Sequence, residues 1–282
     1  MNLSIIGAGG IGRALAQVAV LAGNAVLLYD IDAATLQTAQ LQIARGLEQS
    51  VNDGGVEFHK AAQARLLLST APTLEACAEA DLVIDCSPEK LDVKKGVLGR
   101  LDQAADPKTL LAVQVETLSP SAIAAAATRH PQRVMGLHFF PPIESNPLVE
   151  LIRIAQATPT LLDHLVDLLD QMDKKALLAP DQPGFLVNRL TDAYTAEALR
   201  MLDEGKLEAA ALDRLMNTLG FPIGPFQLLD DLGLDTTLQA KLALYQGTDH
   251  EPRYRPSRTH RQRVQAGALG RKSGQGFYTY DD

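Results

Sequence analysis

The sequence predicts a doubly wound α/β domain with a mainly parallel sheet, followed by an all-α C-terminal domain. From residue 1 to about 180, short apolar runs alternate with helical stretches, and continuous apolar runs are typical of strands that are covered on both faces. Beyond Pro183 the apolar residues recur at helical spacing and strand-like runs largely vanish. Pro180 and Pro183 mark this change, so we expect a sheet domain over residues 1–182 and a helical domain over residues 183–282.

Seven apolar runs in the first domain are candidate strands. The Ala- and Leu-rich segment Ile11–Ala22 lies between the first two runs and suits a crossover helix. The second domain has helical patterns near Leu186–Ala198 and over Leu207–Leu219 and Leu228–Tyr245. The candidate strands are Leu3–Ile6, Ala25–Tyr29, Leu82–Cys86, Leu110–Val113, Val134–Phe139, Leu148–Ile154 and Ala176–Ala179.

The composition excludes several classes of protein. The chain has 282 residues, of which 46% are hydrophobic and 21% charged, as in ordinary globular proteins. Its net charge of −8 argues against a nucleic-acid or anionic membrane surface. Cys77 and Cys86, the only cysteines, cannot build a disulfide framework or a cysteine metal site, so we expect no metal. No signal peptide and no membrane-spanning run is evident, which predicts a cytoplasmic protein.

A glycine-rich turn follows the first predicted strand and opens the first predicted helix. It reads Gly7-Ala8-Gly9-Gly10-Ile11-Gly12, the GxGxxG pattern of dinucleotide sites. Gly7 permits the tight turn, Gly9 lets backbone approach a pyrophosphate, and Gly12 permits close packing of helix on strand. The N–H groups at the helix start, including those of Gly10 and Ile11, offer partial positive charge to the phosphates.

An acid at the end of the second strand indicates which dinucleotide is bound. Asp30 follows Gly12 by 18 residues, the spacing expected of a ribose-binding carboxylate. Such a carboxylate accepts hydrogen bonds from both ribose hydroxyls and repels a 2′-phosphate, so the sequence favours NAD over NADP. Asp32 is the alternative if the strand ends two residues later.

Several segments together resemble the 3-hydroxyacyl-CoA dehydrogenase family, in the right order over essentially the whole chain. They are Gly136–Pro142 (GLHFFPP), Pro147–Ile152 (PLVELI), Pro183–Arg189 (PGFLVNR) and Leu269–Tyr278 (LGRKSGQGFY). The resemblance implies a Rossmann-like NAD domain, a helical domain that mediates homodimerisation, and an acyl-thioester substrate.

The same resemblance implies roles for particular residues. His138 is expected to be the general base and Glu150 its partner, because a carboxylate on one imidazole nitrogen fixes the tautomer and stabilises the imidazolium. Asn188 is expected to bond the thioester carbonyl or the reacting oxygen. Glu89 and Lys94 match positions near the nicotinamide half of NAD, although charged residues beside a helix also commonly form a solvated face.

Two positions depart from the family pattern. Glu116 stands where the family has a serine that bonds the substrate hydroxyl, and Thr117 could supply a hydroxyl only if the loop shifts by one residue. Pro141 replaces an asparagine, so one donor to a substrate oxygen is missing. We therefore expect Glu116 and Thr117 to line an altered substrate site, in which Glu116 could accept hydrogen bonds from an extra hydroxyl or attract a cationic group.

Three functions remain open from the sequence. The first is an NAD-dependent 3-hydroxyacyl-thioester dehydrogenase with a modified pocket. The second is a dehydrogenase of a free or carrier-bound hydroxy acid, since Gln37–Lys60, where the family holds the nucleotide end of CoA, contains only Arg45 and Lys60 as basic residues. The third is a non-catalytic NAD-binding protein. Loss of the family serine and asparagine supports this third function, whereas the presence of His138, Glu150 and Asn188 together opposes it.

Overall fold

The chain forms two compact units in the computed structural model, which describes residues 1–280. The first unit is Met1–Asp181, and the second begins at Gln182. Among the described residues, no helix combines the length and apolarity that crossing a membrane requires.

An eight-stranded sheet is the framework of the first unit. Its strands are β1 (Asn2–Ile6), β2 (Ala25–Tyr29), β3 (Leu68–Thr70), β4 (Leu82–Asp85), β5 (Leu110–Gln114), β6 (Val134–Phe139), β7 (Leu148–Arg153) and β8 (Lys175–Pro180). They lie in the order β3-β2-β1-β4-β5-β6-β7-β8, and neighbouring strands are parallel except for the antiparallel pair β6 and β7. The mainly parallel, doubly wound sheet predicted from the sequence is confirmed.

Six helices belong to the first unit. They are α1 (Gly10–Leu21), α2 (Ala33–Asn52), α3 (Phe58–Leu66), α4 (Leu91–Ala104), α5 (Pro120–Ala124) and α6 (Pro159–Gln171). The start of helix α6 follows from its local sequence. The Thr158 side chain accepts the N–H of Leu161, and Pro159 occupies the first turn, where an N–H would have no partner within the helix. Leu161, Leu165 and Leu168 recur at helical spacing and are buried.

The short strand β3 has no counterpart among the predicted strands. It has three residues, none of them buried, and it pairs with β2 alone at the edge of the sheet. A run this short lacks the continuous apolar pattern that identified the buried strands. The strand is held by its pairing with β2, about 40 residues earlier in the sequence, where Val26 lies opposite Leu68.

Within the described part of the second unit there are five α-helices, which confirms the predicted helical C-terminal region. They are α7 (Val187–Asp203), α8 (Ala209–Thr218), α9 (Pro225–Leu232), α10 (Leu234–Gly247) and α11 (Arg258–Gln265). The helical pattern over Leu228–Tyr245 is divided between two helices, α9 and α10. Gly233 has φ +89°, a conformation that only glycine adopts without strain, and it separates α9 from α10.

The C-terminal motif Leu269–Tyr278 is tied to α9 by a buried carboxylate. Asp230 accepts the N–H groups of Phe277 at 2.8 Å and Tyr278 at 2.9 Å, and also the hydroxyl of Tyr280 at 3.0 Å. A Cβ atom at Gly276 would lie 2.0 Å from the Asp230 carboxylate. The glycine pattern of this motif therefore has a structural cause: it lets the backbone approach a buried acid.

Candidate functional site

The glycine-rich turn lies between the carboxyl end of β1 and the start of α1. Gly7 has φ +92°, and a Cβ atom there would lie 2.5 Å from the Cys86 carbonyl oxygen. A Cβ atom on Gly12 would lie 1.8 Å from the Gly7 carbonyl oxygen. A Cβ atom on Gly9 would meet nothing within 4 Å. Packing within the fold therefore explains Gly7 and Gly12, whereas the space above Gly9 is open to a ligand.

The start of α1 has the properties of a phosphate site. Gly9 and Gly10 are exposed, and the helix has neither a capping side chain nor an acid in its first turn. The N–H groups of the first turn, among them that of Ile11, therefore keep their donor capacity and partial positive charge. A dinucleotide pyrophosphate fits these residues by charge and by hydrogen-bonding type.

Asp30 and Asp32, the two candidates for the ribose acid, have different partners. Asp30 follows β2 directly and its Oδ2 accepts the Ala8 N–H at 2.7 Å, which ties it to the glycine-rich turn. Asp32 caps α2: it accepts the N–H groups of Ala34 and Thr35, and the hydrogen bond from the Thr35 hydroxyl lowers its pKa most. Asp30 Oδ1 also accepts the Asp32 N–H at 2.9 Å, so each Asp30 oxygen can still accept one more hydrogen bond, whereas Asp32 Oδ2 already accepts from both the N–H and the hydroxyl of Thr35. Asp30 therefore fits a ribose hydroxyl better than Asp32 does.

His138 and Glu150 lie opposite each other on the antiparallel strands β6 and β7. His138 Nδ1 is 2.8 Å from Glu150 Oε2. The histidine side chain is 6% exposed and the glutamate side chain 0%. Residues at directly opposed positions project from the same face of the sheet, which explains the contact. With a proton on Nδ1 donated to the carboxylate, Nε2 carries the lone pair that a general base requires.

Glu89 organises the loop that follows β5. Its Oε1 accepts the backbone N–H groups of Glu116 and Thr117 at 2.9 Å each, and that of Leu118 at 3.0 Å. Three donors on one oxygen form a charge-assisted anchor. The side chain of Glu89 thereby fixes the path of the segment in which the substrate-site residues Glu116 and Thr117 were expected.

Lys94 is buried inside the first unit, so a solvated helix face is wrong for this residue. Its side chain is 1% exposed, and Nζ donates to the Ser87 carbonyl oxygen at 2.9 Å. Asp85 Oδ2 lies 3.8 Å from Nζ, and burial raises the pKa of this aspartate. The ion pair lies at the carboxyl end of β4. This end is close to the glycine-rich turn, because Gly7 packs against the Cys86 carbonyl group.

Glu116 is exposed, and electrostatics link its carboxyl group to the other charged residues of this region. Desolvation and the Glu89 carboxylate raise its pKa, while electrostatic interactions with His138 and Lys94 act in the opposite direction. Thr117 is half-buried. The first unit thus brings Glu89, Lys94 and His138 within electrostatic reach of Glu116.

The remaining substrate candidate, Asn188, belongs to the second unit, where it is the second residue of α7.

A residue that the sequence analysis missed is Gln114, the last residue of β5. It is buried, its Oε1 accepts the Phe139 N–H at 3.1 Å, and its Nε2 has no hydrogen-bond partner. A polar side chain ending an apolar strand was the available signal. Among the described residues, no cluster of three or more His, Cys, Asp or Glu side chains could hold a metal ion.

The parallel sheet, the glycine-rich turn and the acid after β2 define an NAD-dependent oxidoreductase, with NAD as its cofactor. Residues 2–182 match the model of the 3-hydroxyacyl-CoA dehydrogenase NAD binding domain, and residues 184–280 match the model of the C-terminal domain of the same family. The chain belongs to the 3-hydroxyacyl-CoA dehydrogenase family.

Similar proteins cover nearly the whole chain. A probable 3-hydroxybutyryl-CoA dehydrogenase of Bacillus subtilis is 34% identical over 100% of this chain and 98% of its own. A 3-hydroxyadipyl-CoA dehydrogenase of Escherichia coli is also 34% identical, and this chain spans 59% of that longer protein. The crystal structure of (S)-3-hydroxybutyryl-CoA dehydrogenase from Ralstonia eutropha superposes with a TM-score of 0.94 at 32% identity, covering 100% of this chain and 99% of that one.

Proposed function

We propose that this chain transfers hydride between NAD and the 3-hydroxy or 3-oxo carbon of an acyl thioester, with His138 as general acid and base. The observation that carries this proposal is the hydrogen bond between His138 Nδ1 and Glu150 Oε2, at 2.8 Å, in a domain that also contains the dinucleotide turn. A histidine held by a buried carboxylate is suited to take a hydroxyl proton at neutral pH.

The residues of the first unit would hold the cofactor as follows. Gly9, Gly10 and Ile11 offer space and N–H donors to the pyrophosphate, and Asp30 offers a carboxylate to the adenosine ribose. Bound NAD supplies the acceptor of the hydride that leaves the substrate carbon. Glu89 and Lys94 are proposed to shape the nicotinamide end, Glu89 through the loop that it anchors and Lys94 through its buried charge.

On the substrate side, His138 Nε2 would accept the hydroxyl proton during oxidation and return it during reduction. Glu150 keeps Nδ1 protonated and balances the positive charge of the imidazolium. Glu116 and Thr117 are proposed to line the substrate, and Asn188 to donate an amide hydrogen bond to it. These roles rest on the resemblance of the chain to its family.

A free or carrier-bound hydroxy acid is the second candidate substrate. Glu116 and Pro141 stand at two family substrate positions, and the first is acidic while the second has no N–H. The surface of α2 and the segment after it adds little positive charge for a CoA phosphate: Arg45 is accompanied by Glu48 and Asp53. A non-catalytic NAD-binding role is the third candidate, and it predicts cofactor binding without turnover.

A substrate panel tests these candidates. NADH absorbance is followed with 3-hydroxyacyl-CoAs, the matching free acids and carrier-protein thioesters, with His138→Ala as control. Turnover of acyl-CoAs that is abolished in the control supports the proposal. Turnover confined to free acids or carrier thioesters moves the assignment to the second candidate. No turnover by a protein that binds NAD supports the non-catalytic role.

We also propose a cytoplasmic homodimer that associates through the helical unit. The resemblance implies this assembly, and the second unit exposes apolar side chains: of the four candidate interface leucines, Leu190 is 71% and Leu232 45% exposed, while Leu186 and Leu228 are half-buried. Light scattering after size exclusion tests it. We expect a dimer for the wild type and a shift towards monomer for Leu190→Glu.

A further inference from the structure

The environment of His138 hinders exchange of its proton with solvent. The residue is only 5% exposed, Glu150 engages Nδ1, and the Phe140 ring lies 4.2 Å from the imidazole, centroid to centroid. If His138 is the base of the proposed function, each oxidation delivers one proton to it, and that proton must leave before the next turnover. A buried base with one nitrogen committed to a carboxylate therefore needs a neighbouring group that passes the proton outward.

Glu116 is placed to be that neighbour. Strands β5 and β6 are adjacent and parallel, with Gln114 opposite Leu137, and the Val115 N–H donates to the Leu137 carbonyl oxygen at 2.8 Å. Continuing this register by one residue puts Val115 opposite His138, on strands about 4.8 Å apart. Glu116 is the next residue, where β5 has ended and the loop anchored by Glu89 begins, and its side chain is exposed to solvent. Its carboxyl group is close enough to His138 for the histidine to act on its pKa.

The position and the acidity of Glu116 suit proton transfer. Its backbone is anchored, because its N–H and those of the next two residues donate to Glu89 Oε1. Desolvation and the Glu89 carboxylate raise the pKa of Glu116, and electrostatic interactions with His138 and Lys94 moderate this rise. A carboxyl with a raised pKa accepts a proton from an imidazolium more readily than an ordinary glutamate does, and it can still release that proton to water.

We propose that Glu116 is a proton-relay residue that carries the proton of the reaction between His138 and solvent. The step rests on the proposed function. In oxidation, the substrate hydroxyl proton passes to His138 Nε2, while the hydrogen of the C–H bond moves to NAD together with the bonding electron pair, as hydride. The Nε2 proton then passes to the Glu116 carboxylate and from there to water, which regenerates neutral His138 and ionised Glu116. One proton is released for each NADH formed, and reduction follows the same route in reverse.

The test uses Glu116→Gln, which keeps the size and hydrogen-bonding capacity of the side chain but cannot carry the proton. We expect its kcat to fall about tenfold or more in dilute buffer, since general acid–base groups contribute roughly 10²–10⁴-fold. Increasing concentrations of imidazole, a small proton carrier, should restore the rate. Wild type, Glu116→Asp and the exposed control Glu79→Gln should not respond to imidazole.

Two results would overturn the relay while leaving the dehydrogenase intact. One is a Glu116→Gln variant with wild-type kcat at every buffer concentration. The other is a variant whose loss is insensitive to imidazole and differs between substrates with and without an extra hydroxyl, which would make Glu116 a specificity residue. Failure of the proposed function is distinct, since the wild type would then be inactive or His138→Ala fully active. Melting temperatures of all variants confirm that they are folded.

Discussion

Replacing Glu150 by glutamine tests how the proposed base is held. The Glu150 carboxylate is fully buried and accepts from His138 Nδ1 at 2.8 Å. Hydrogen bonds to charged groups contribute about 1.5–3 kcal/mol. If that interaction strengthens as His138 becomes positively charged in the transition state, its loss lowers kcat by about 10- to 150-fold, at 1.36 kcal/mol per factor of ten. The amide is nearly isosteric and can also donate to Nδ1, which would stabilise the wrong tautomer.

Steady-state kinetics with the best substrate of the panel measure this effect. We expect the loss in kcat/KM to match the loss in kcat, because an interaction that forms only in the transition state changes both equally. Glu79→Gln serves as an exposed control of the same chemistry. A Glu150→Gln enzyme that is folded, binds NAD normally and keeps kcat within threefold of the wild type would show that Glu150 does not assist His138 in the transition state.

Three further predictions concern the cofactor turn and the second unit. Gly9→Ala should keep its melting temperature but lose NAD affinity in calorimetry, whereas Gly12→Ala, with its Cβ 1.8 Å from a carbonyl oxygen, should lose both. Burial lowers the pKa of His260 below its ordinary value of about 6.5. The unfolded chain therefore binds a proton at this histidine more readily than the folded chain does. The free energy of unfolding, measured in urea, should decrease as the pH falls below about 6.5, and it should decrease less in His260→Gln. Asp230→Ala should cost roughly 3 kcal/mol by the same urea measurement, because it leaves two partly buried N–H groups and a hydroxyl without their acceptor.

Local sequence patterns predicted the parts of the fold that local chemistry determines. The GxGxxG turn and the acid at Asp30 depend on backbone conformations and spacings that are readable over 30 residues. The buried strands were visible as continuous apolar runs. Strand β3 was not visible, because its existence depends on pairing with β2 rather than on its own three residues.

The contacts that shape the site were less accessible from sequence. Glu89 binds backbone N–H groups 27 to 29 residues further along the chain, and nothing in either segment alone indicates this anchor. The charges around Lys94, with Asp92 and Lys95 beside it, resemble a solvent-facing helix surface. Its burial depends on Asp85 and the Ser87 carbonyl oxygen, which the end of β4 supplies. Tertiary contacts of this kind override the local charge pattern.

The most direct test of the account is a comparison of wild type and His138→Gln under saturating NAD and the best acyl-thioester substrate. Stopped-flow absorbance follows NADH in a single turnover, and calorimetry follows NAD binding in parallel. We expect the variant to bind NAD as the wild type does and to form NADH at least about a hundredfold more slowly, as for loss of a general base. Equal single-turnover rates in the two proteins would contradict the assignment of His138 as the group that moves the proton.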